Sequence, residues 1–275
     1  KERGIIAQEI KMYEDSADSA VMENLFRIMY QNHPVRNNIA GTVESIEEIT
    51  ADTLKLCHDA FYDPSNLIVC VIGDVDAASI IEQARRLTPA GKKPQFERCC
   101  GAPEPEQVPV RTIEKQMEIA MPAFAIGFRC PDAGRGADAM RMDLIGEMAG
   151  EMLIGESSKL YQKLYDENVI DADFSVDYER MKGMALLELS GDSEDPRRIL
   201  REVLAEAARV LKTGVDRTLL ARLKKSVTGR RLRELDGFEG TCYRMCAYYF
   251  DGAEYFDYPE IYASVTAEDV EQFIR

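Results

Sequence analysis

Between Gln95 and Val110 the chain reads QFERCCGAPEPEQVPV, with three prolines and little periodicity. Proline fixes φ and removes a backbone donor, so neither a helix interior nor a central strand runs through such a stretch. The stretch therefore divides the 275 residues, a length above the usual size of one core. We assign residues 1–98 to a first domain, 99–110 to a Pro-rich linker and 111–275 to a second domain.

On the first side, residues 1–14 read as a helix, broken by Asp15-Ser16 before an amphipathic run with Val21, Leu25 and Ile28 in register. Thr50 reads as the N-cap of a helix to about Tyr62, and the turn Asp63-Pro64-Ser65-Asn66 leads into LIVCVIGDV, a continuous apolar run suited to a buried strand. Asp76 opens another helix. On the second side, EIAMPAFAIGF predicts a strand, 137–154 and 157–167 helices, and 172–189 two strands joined near Lys182-Gly183. Long helical stretches follow over 196–212 and 216–250. A weak repeat relates EEITADTLKLCHDAF near Thr50 to ASVTAEDVEQFIR at the end, which suggests that the halves are duplicated. The first copy runs on into a strand and the second stops at Arg275, so a chain truncated at both ends is expected.

Charge and cysteine content narrow the function classes. Acids outnumber bases 49 to 34, for a net charge of -15, which disfavours nucleic acid as a partner. The seven cysteines form no CxxC pair and do not space like a secreted disulfide framework, so reduced thiols in a cytoplasm are expected. Cys242 and Cys246 stand one helical turn apart and read as packed thiols rather than metal ligands. No apolar run is long enough to cross a bilayer, so no membrane partner is expected.

The opening helix, ERGIIAQEIKMYE, carries the sharpest chemical signal. At about 100° per residue, Glu2 and Glu9 return to within roughly 20° of one face. Ile5, Ile6, Ile10 and Tyr13 flank that stripe, while Gln8, Lys11 and Asp15 fall opposite. A carboxylate in the middle of an apolar face must be protonated, paired with a cation or bound to a metal. Spacing alone leaves an ion pair and a metal equally open.

ERGIIAQE, with HPVRNNIAGTVESIEEIT, YDPSNLIVCVIGDVD and SSKLYQKLYDENVIDADFSV, resembles the pitrilysin/insulinase family of zinc metallopeptidases in its bacterial two-domain-half form. The resemblance implies an α+β fold of two related domains, each an antiparallel-rich sheet packed against helices, forming half of a clamshell. It implies a zinc-dependent endopeptidase that hydrolyses unstructured peptides, with Glu9 as the third metal ligand. Glu2, seven residues or roughly 10.5 Å away along the axis, would be an accessory acid that orients a ligand.

Two departures accompany the match. The family's inverted HxxEH motif, which supplies two histidine ligands and the general base, does not occur, and His33 and His58 cannot replace it. The chain alone is therefore expected to be inactive and to bind no zinc, because an open catalytic site needs three protein ligands. The family's substrate-holding arginine and tyrosine, seven apart, are matched here by Tyr165 and Ala172, with Phe174 nearby. A homologous partner subunit, in a heterodimer or a homodimer, is implied. A non-catalytic scaffold or processing subunit with a decayed site is the alternative.

Other constellations read as structural. His33, before Pro34, reads as a helix-ending histidine bonded to backbone, and His58 cannot face its neighbour Cys57. GRGAD at 134–138 reads as a loop, Ser157-Ser158 as a helix start, and Lys224, Lys225, Arg230, Arg231 and Arg233 as a solvated helix face.

Overall fold

A computed structural model of the chain describes residues 2–89, 91, 99, 101–108 and 110–275. The start of the Pro-rich stretch, with Gln95, Cys100 and Pro109, lies outside the described residues.

Side-chain caps set most of the early helix boundaries. α1 (Glu2–Glu14) is followed by α2 (Ala17–Met29), whose cap Ser16 accepts from the Ser19 N–H. α3 (Val43–Glu47) starts in a capping box between Thr42 and Ser45. Thr50 caps α4 (Ala51–Phe61), and Asp76 caps α5 (Ala77–Leu87) by accepting from two N–H groups. LIVCVIGDV, expected to be a buried strand, pairs with no strand among the described residues and bends at Gly73-Asp74. Its side chains alternate instead: Leu67, Val69 and Val71 are exposed, while Ile68, Cys70 and Ile72 are half-buried.

Beyond the Pro-rich stretch the elements are β1 (Ala123–Arg129), α6 (Ala137–Ile154), α7 (Lys159–Asp166), β2 (Ser175–Met181), β3 (Met184–Asp192) and α8 (Pro196–Thr213). β3 is central, antiparallel to both neighbours, and sets Leu187 opposite Phe128 and Tyr178. Leu186 and Leu189 are fully buried. α6 lies close against one face because it carries glycine where side chains would collide. A Cβ on Gly146 would come within 2.4 Å of the Tyr178 ring, and one on Gly150 within 2.7 Å of Val176. On the other face Leu25, Met29 and Tyr30 of the first region pack against Met184 and Leu186. The sheet is thus clasped between α2 and α6.

The stretch 216–250, expected as one helical run, is two helices, α9 (Arg217–Glu234) and α10 (Phe238–Asp251). The break falls at Gly237, whose N–H bonds the Glu234 carbonyl at 3.1 Å. The Thr241 hydroxyl donates to the same carbonyl at 3.3 Å. Side-chain periodicity does not register a break that a glycine and two backbone-directed bonds impose. α11 (Tyr258–Ser264) and α12 (Ala267–Ile274) complete the chain. Thr266 caps α12 with φ -109 and ψ 170, nearly matching Thr50 at φ -107 and ψ 167, so the repeated sequence adopts one local geometry twice. Among the described residues, no helix is long and apolar enough to cross a membrane.

The described part of the Pro-rich stretch is tied to the first region. Glu104 accepts the backbone N–H groups of Gln31 at 2.8 Å, Asn32 at 2.6 Å and His33 at 2.7 Å, with Arg129 at 4.0 Å. Burial by itself would push this carboxyl up, but the three donors and Arg129 hold it below the usual carboxylate range. A carboxyl lowered in the folded state stabilises above its unfolded pKa, and that stability is lost as pH falls through the lowered folded value. Glu104→Ala leaves three N–H groups to water and is expected to cost roughly 2–3 kcal/mol at neutral pH. Urea unfolding followed from neutral pH into the acid limb should show the gap from wild type closing; a gap independent of pH would remove this role from Glu104.

Candidate functional site

α1 does not present the face that its apolar stripe suggests. The helix packs on α2 and α3, and its one buried residue is Ile10, which stands roughly 90° round from the acid stripe. Arg3 anchors the same side by donating to the Ile49 carbonyl. Glu2 and Glu9 are consequently exposed, which corrects the expectation that they are buried. The cause is the whole face: Ile5 is 51% and Ile6 40% exposed, and Tyr13 is exposed with them. Glu9 accepts a hydrogen bond from the Tyr13 hydroxyl at 3.2 Å. Among the described residues, no Arg or Lys forms an ion pair with Glu2 or Glu9.

The described residues do not make up a metal site. No three His, Cys, Asp or Glu side chains among them come together in a way that could hold an ion. His33 is buried, and both its ring nitrogens are engaged. Nδ1 accepts from the Val35 N–H at 3.1 Å, so Nε2 carries the proton donated to the Lys182 carbonyl at 2.9 Å. His58 is exposed, beside Asp59 and stacked on Tyr62 at 5.2 Å. Tyr165 is exposed and stacks on Tyr161, Ala172 is exposed, and Phe174 is buried. Ser158 serves as the cap of α7, and Gly136 precedes α6 in a loop.

A charged cleft that the sequence reading missed lies between β2, α6, α9 and α10. It measures about 590 Å³ and is lined by Arg180, Arg231, Arg244, Tyr248 and Asp251, among others. A neighbouring hollow of about 450 Å³ shares Arg180 and Arg231 and adds Glu147, Glu151 and Asp177. Arg180 forms the floor: it donates to Asp143 at 2.7 and 3.2 Å and to Asp251 at 2.7 Å, and its side chain is only 8% exposed. Burial alone would lower its pKa, but two carboxylates hold the guanidinium above its ordinary value. Burial pushes Asp143 up, and Arg180 offsets this only in part.

The surrounding cations are likewise answered from within. Arg230 and Arg231 meet Glu147, Arg231 and Arg244 meet Glu234, and Arg231 lies over the Tyr258 ring. Lys224 donates to the carbonyls of Ala263, in the last turn of α11, and Val265, just after it. The expected solvated face of α9 is therefore largely an internal ion network, leaving Lys225 and Arg233 exposed. Glu151 is raised by burial, which Arg230 opposes, and Tyr248 is pushed to about 12. One signal pointed here: Asp143, Glu147 and Glu151 recur every four residues along a mostly apolar helix.

A small antiparallel sheet clasped by helices on both faces is the α+β architecture of an M16-like peptidase from Alicyclobacillus acidocaldarius. The two align with a TM-score of 0.92 at 30% identity, over 99% of this chain and 66% of that one. The family model described as the Peptidase M16 inactive domain matches residues 48–227, and the chain belongs to the M16 peptidase family. The chain is also 33% identical over its whole length to an uncharacterized zinc protease, YmfH, of Bacillus subtilis. It is 24% identical over 81% of its length to the zinc protease PqqE of Helicobacter pylori. It spans 65% and 51% of those relatives.

Proposed function

We propose that this chain is part of a zinc-dependent metalloendopeptidase subunit that hydrolyses peptides. The observation that carries the reading is the acid pair on α1. That helix lies outside the span matched as the inactive domain, and Glu9, with no ion pair among the described residues, stands on an apolar face that no described element covers. Relatives named as zinc proteases support the metal.

In this reading Glu9 supplies one carboxylate ligand, and Glu2 orients a group that touches the metal. Zinc, when bound, provides Lewis acidity and a bound water of lowered pKa. The two histidine ligands and the general base come from an HxxEH segment outside this sequence, so residues 1–275 alone are inactive. The division into 1–98, 99–110 and 111–275 makes the first part the end of the metal domain and the last a non-catalytic domain. With Tyr165 and Ala172 where the family carries its substrate-holding pair, a homologous second subunit provides those groups. The cysteine pattern favours a cytoplasmic setting.

The test is a peptidase assay on the full-length protein, with and without its partner subunit, using an unstructured peptide and a chelator control. Chelator-sensitive cleavage that requires the partner is the expected result. Absence of cleavage under every condition would favour the scaffold alternative.

A further inference from the structure

We propose that Cys70 and Cys242 form a reversible disulfide that fastens the 67–72 segment to α10. The alternation along that segment turns Ile68, Cys70 and Ile72 inward and Leu67, Val69 and Val71 outward. Cys242, in the second turn of α10, meets the inward face. Its Sγ lies 4.0 Å from the Cys70 carbonyl oxygen, and the Cys70 thiol is near enough to help push the Cys242 thiol up. Both cysteines are free and half-buried. They come from positions 172 residues apart, and the approach of the Cys242 sulfur to the Cys70 backbone places the two side chains where rotation about their Cα–Cβ bonds can bring the sulfurs to the S–S length of about 2 Å.

The other described cysteines differ in setting. Cys57 and Cys99 are exposed. Cys130 is held unreactive: burial pushes its thiol up to about 11, and it donates to the Phe128 carbonyl at 3.4 Å. Cys246, half-buried one turn beyond Cys242, is a natural control.

The oxidant class is a hydroperoxide. The Cys70 thiolate attacks the O–O bond, keeps one oxygen as a sulfenic acid and releases the other as an alcohol or water. The Cys242 sulfur then displaces the sulfenic hydroxyl, the S–S bond forms, and water leaves with the Cys242 proton. Two electrons pass from the two sulfurs to the peroxide. Burial and the adjacent Cys70 raise the Cys242 thiol, which suits it to the second step rather than the first. A dithiol reverses the bond by exchange. The bridge joins the first region to a helix of the second and restricts motion between them.

The test treats the full-length protein with hydrogen peroxide, blocks remaining thiols with N-ethylmaleimide and maps peptides without reductant. The expected product is a cross-linked peptide pair joining Cys70 to Cys242. It should disappear with dithiothreitol, be absent in Cys70→Ser and Cys242→Ser, and persist in Cys246→Ser. Oxidation should also raise the thermal midpoint of wild type by several degrees and that of neither serine variant at 70 or 242. Recovery of both cysteines as maleimide adducts, or a bridge from either to another cysteine, would overturn the assignment, and the wild-type map needs no variant to fold.

Discussion

Arg180→Ala is expected to cost about 3–5 kcal/mol of unfolding free energy, among the largest losses available to a single side chain in this chain. The guanidinium bridges Asp143 of α6 and Asp251 of α10 from its place on β2, with its side chain only 8% exposed. Removing it leaves two half-buried carboxylates facing one another without a cation. Desolvation already pushes Asp143 up with Arg180 present, so losing the partner favours protonation of that carboxyl or entry of water. Two further variants separate this account from simple loss of packing. Arg180→Met, which keeps the apolar stem, should be nearly as destabilised as the alanine variant. Adding Asp143→Asn and Asp251→Asn to Arg180→Ala should restore part of the loss, because the unpaired charges are then gone. Urea unfolding midpoints give the comparison. A loss below about 1 kcal/mol, of the size found for exposed pairs, would show that the bridge is not a structural tie.

The sequence was legible where chemistry is local. Ser16, Thr50, Asp76, Ser158 and Thr266 each cap the helix that follows, and the Lys182-Gly183 turn separates β2 from β3. His33 ends as a backbone-bonded histidine, although its second partner, the Lys182 carbonyl, is 149 residues away and has no trace in local spacing. The misreadings share a cause: a face or a break was decided by something not written nearby. LIVCVIGDV has strand composition, but a ladder needs a neighbour. The α1 wheel located the acid stripe correctly, yet the side that packs is set by α2 and α3. The α9 cations looked solvated because Glu147 lies far away in the sequence. Asp143, Arg180 and Asp251 are separated by 37 and 71 residues, beyond the reach of any periodicity argument. Even so, the acids along α6 marked a charged edge on a mostly apolar helix.

Glu9→Gln in the full-length protein is expected to abolish nearly all zinc retention. On the proposed reading the substitution removes one of three protein ligands, charge as well as donor, and a neutral amide oxygen is a poor substitute for a carboxylate on zinc. Glu2→Gln acts on the setting of the site, so it should retain most of the metal and lose turnover, an effect of about 10–100-fold for groups behind the ligands. The two variants stand seven residues apart on one exposed stripe, so a general disturbance of α1 would affect both alike. Circular dichroism of each should match wild type, and so should unfolding midpoints compared in the metal-free state, since neither acid is buried or ion-paired among the described residues. The decisive measurement is metal analysis of the purified full-length protein as wild type, Glu9→Gln and Glu2→Gln, after removal of free zinc. Zinc held by wild type and Glu2→Gln but lost from Glu9→Gln is the expected result; unchanged zinc in Glu9→Gln would contradict the assignment of that carboxylate to the metal.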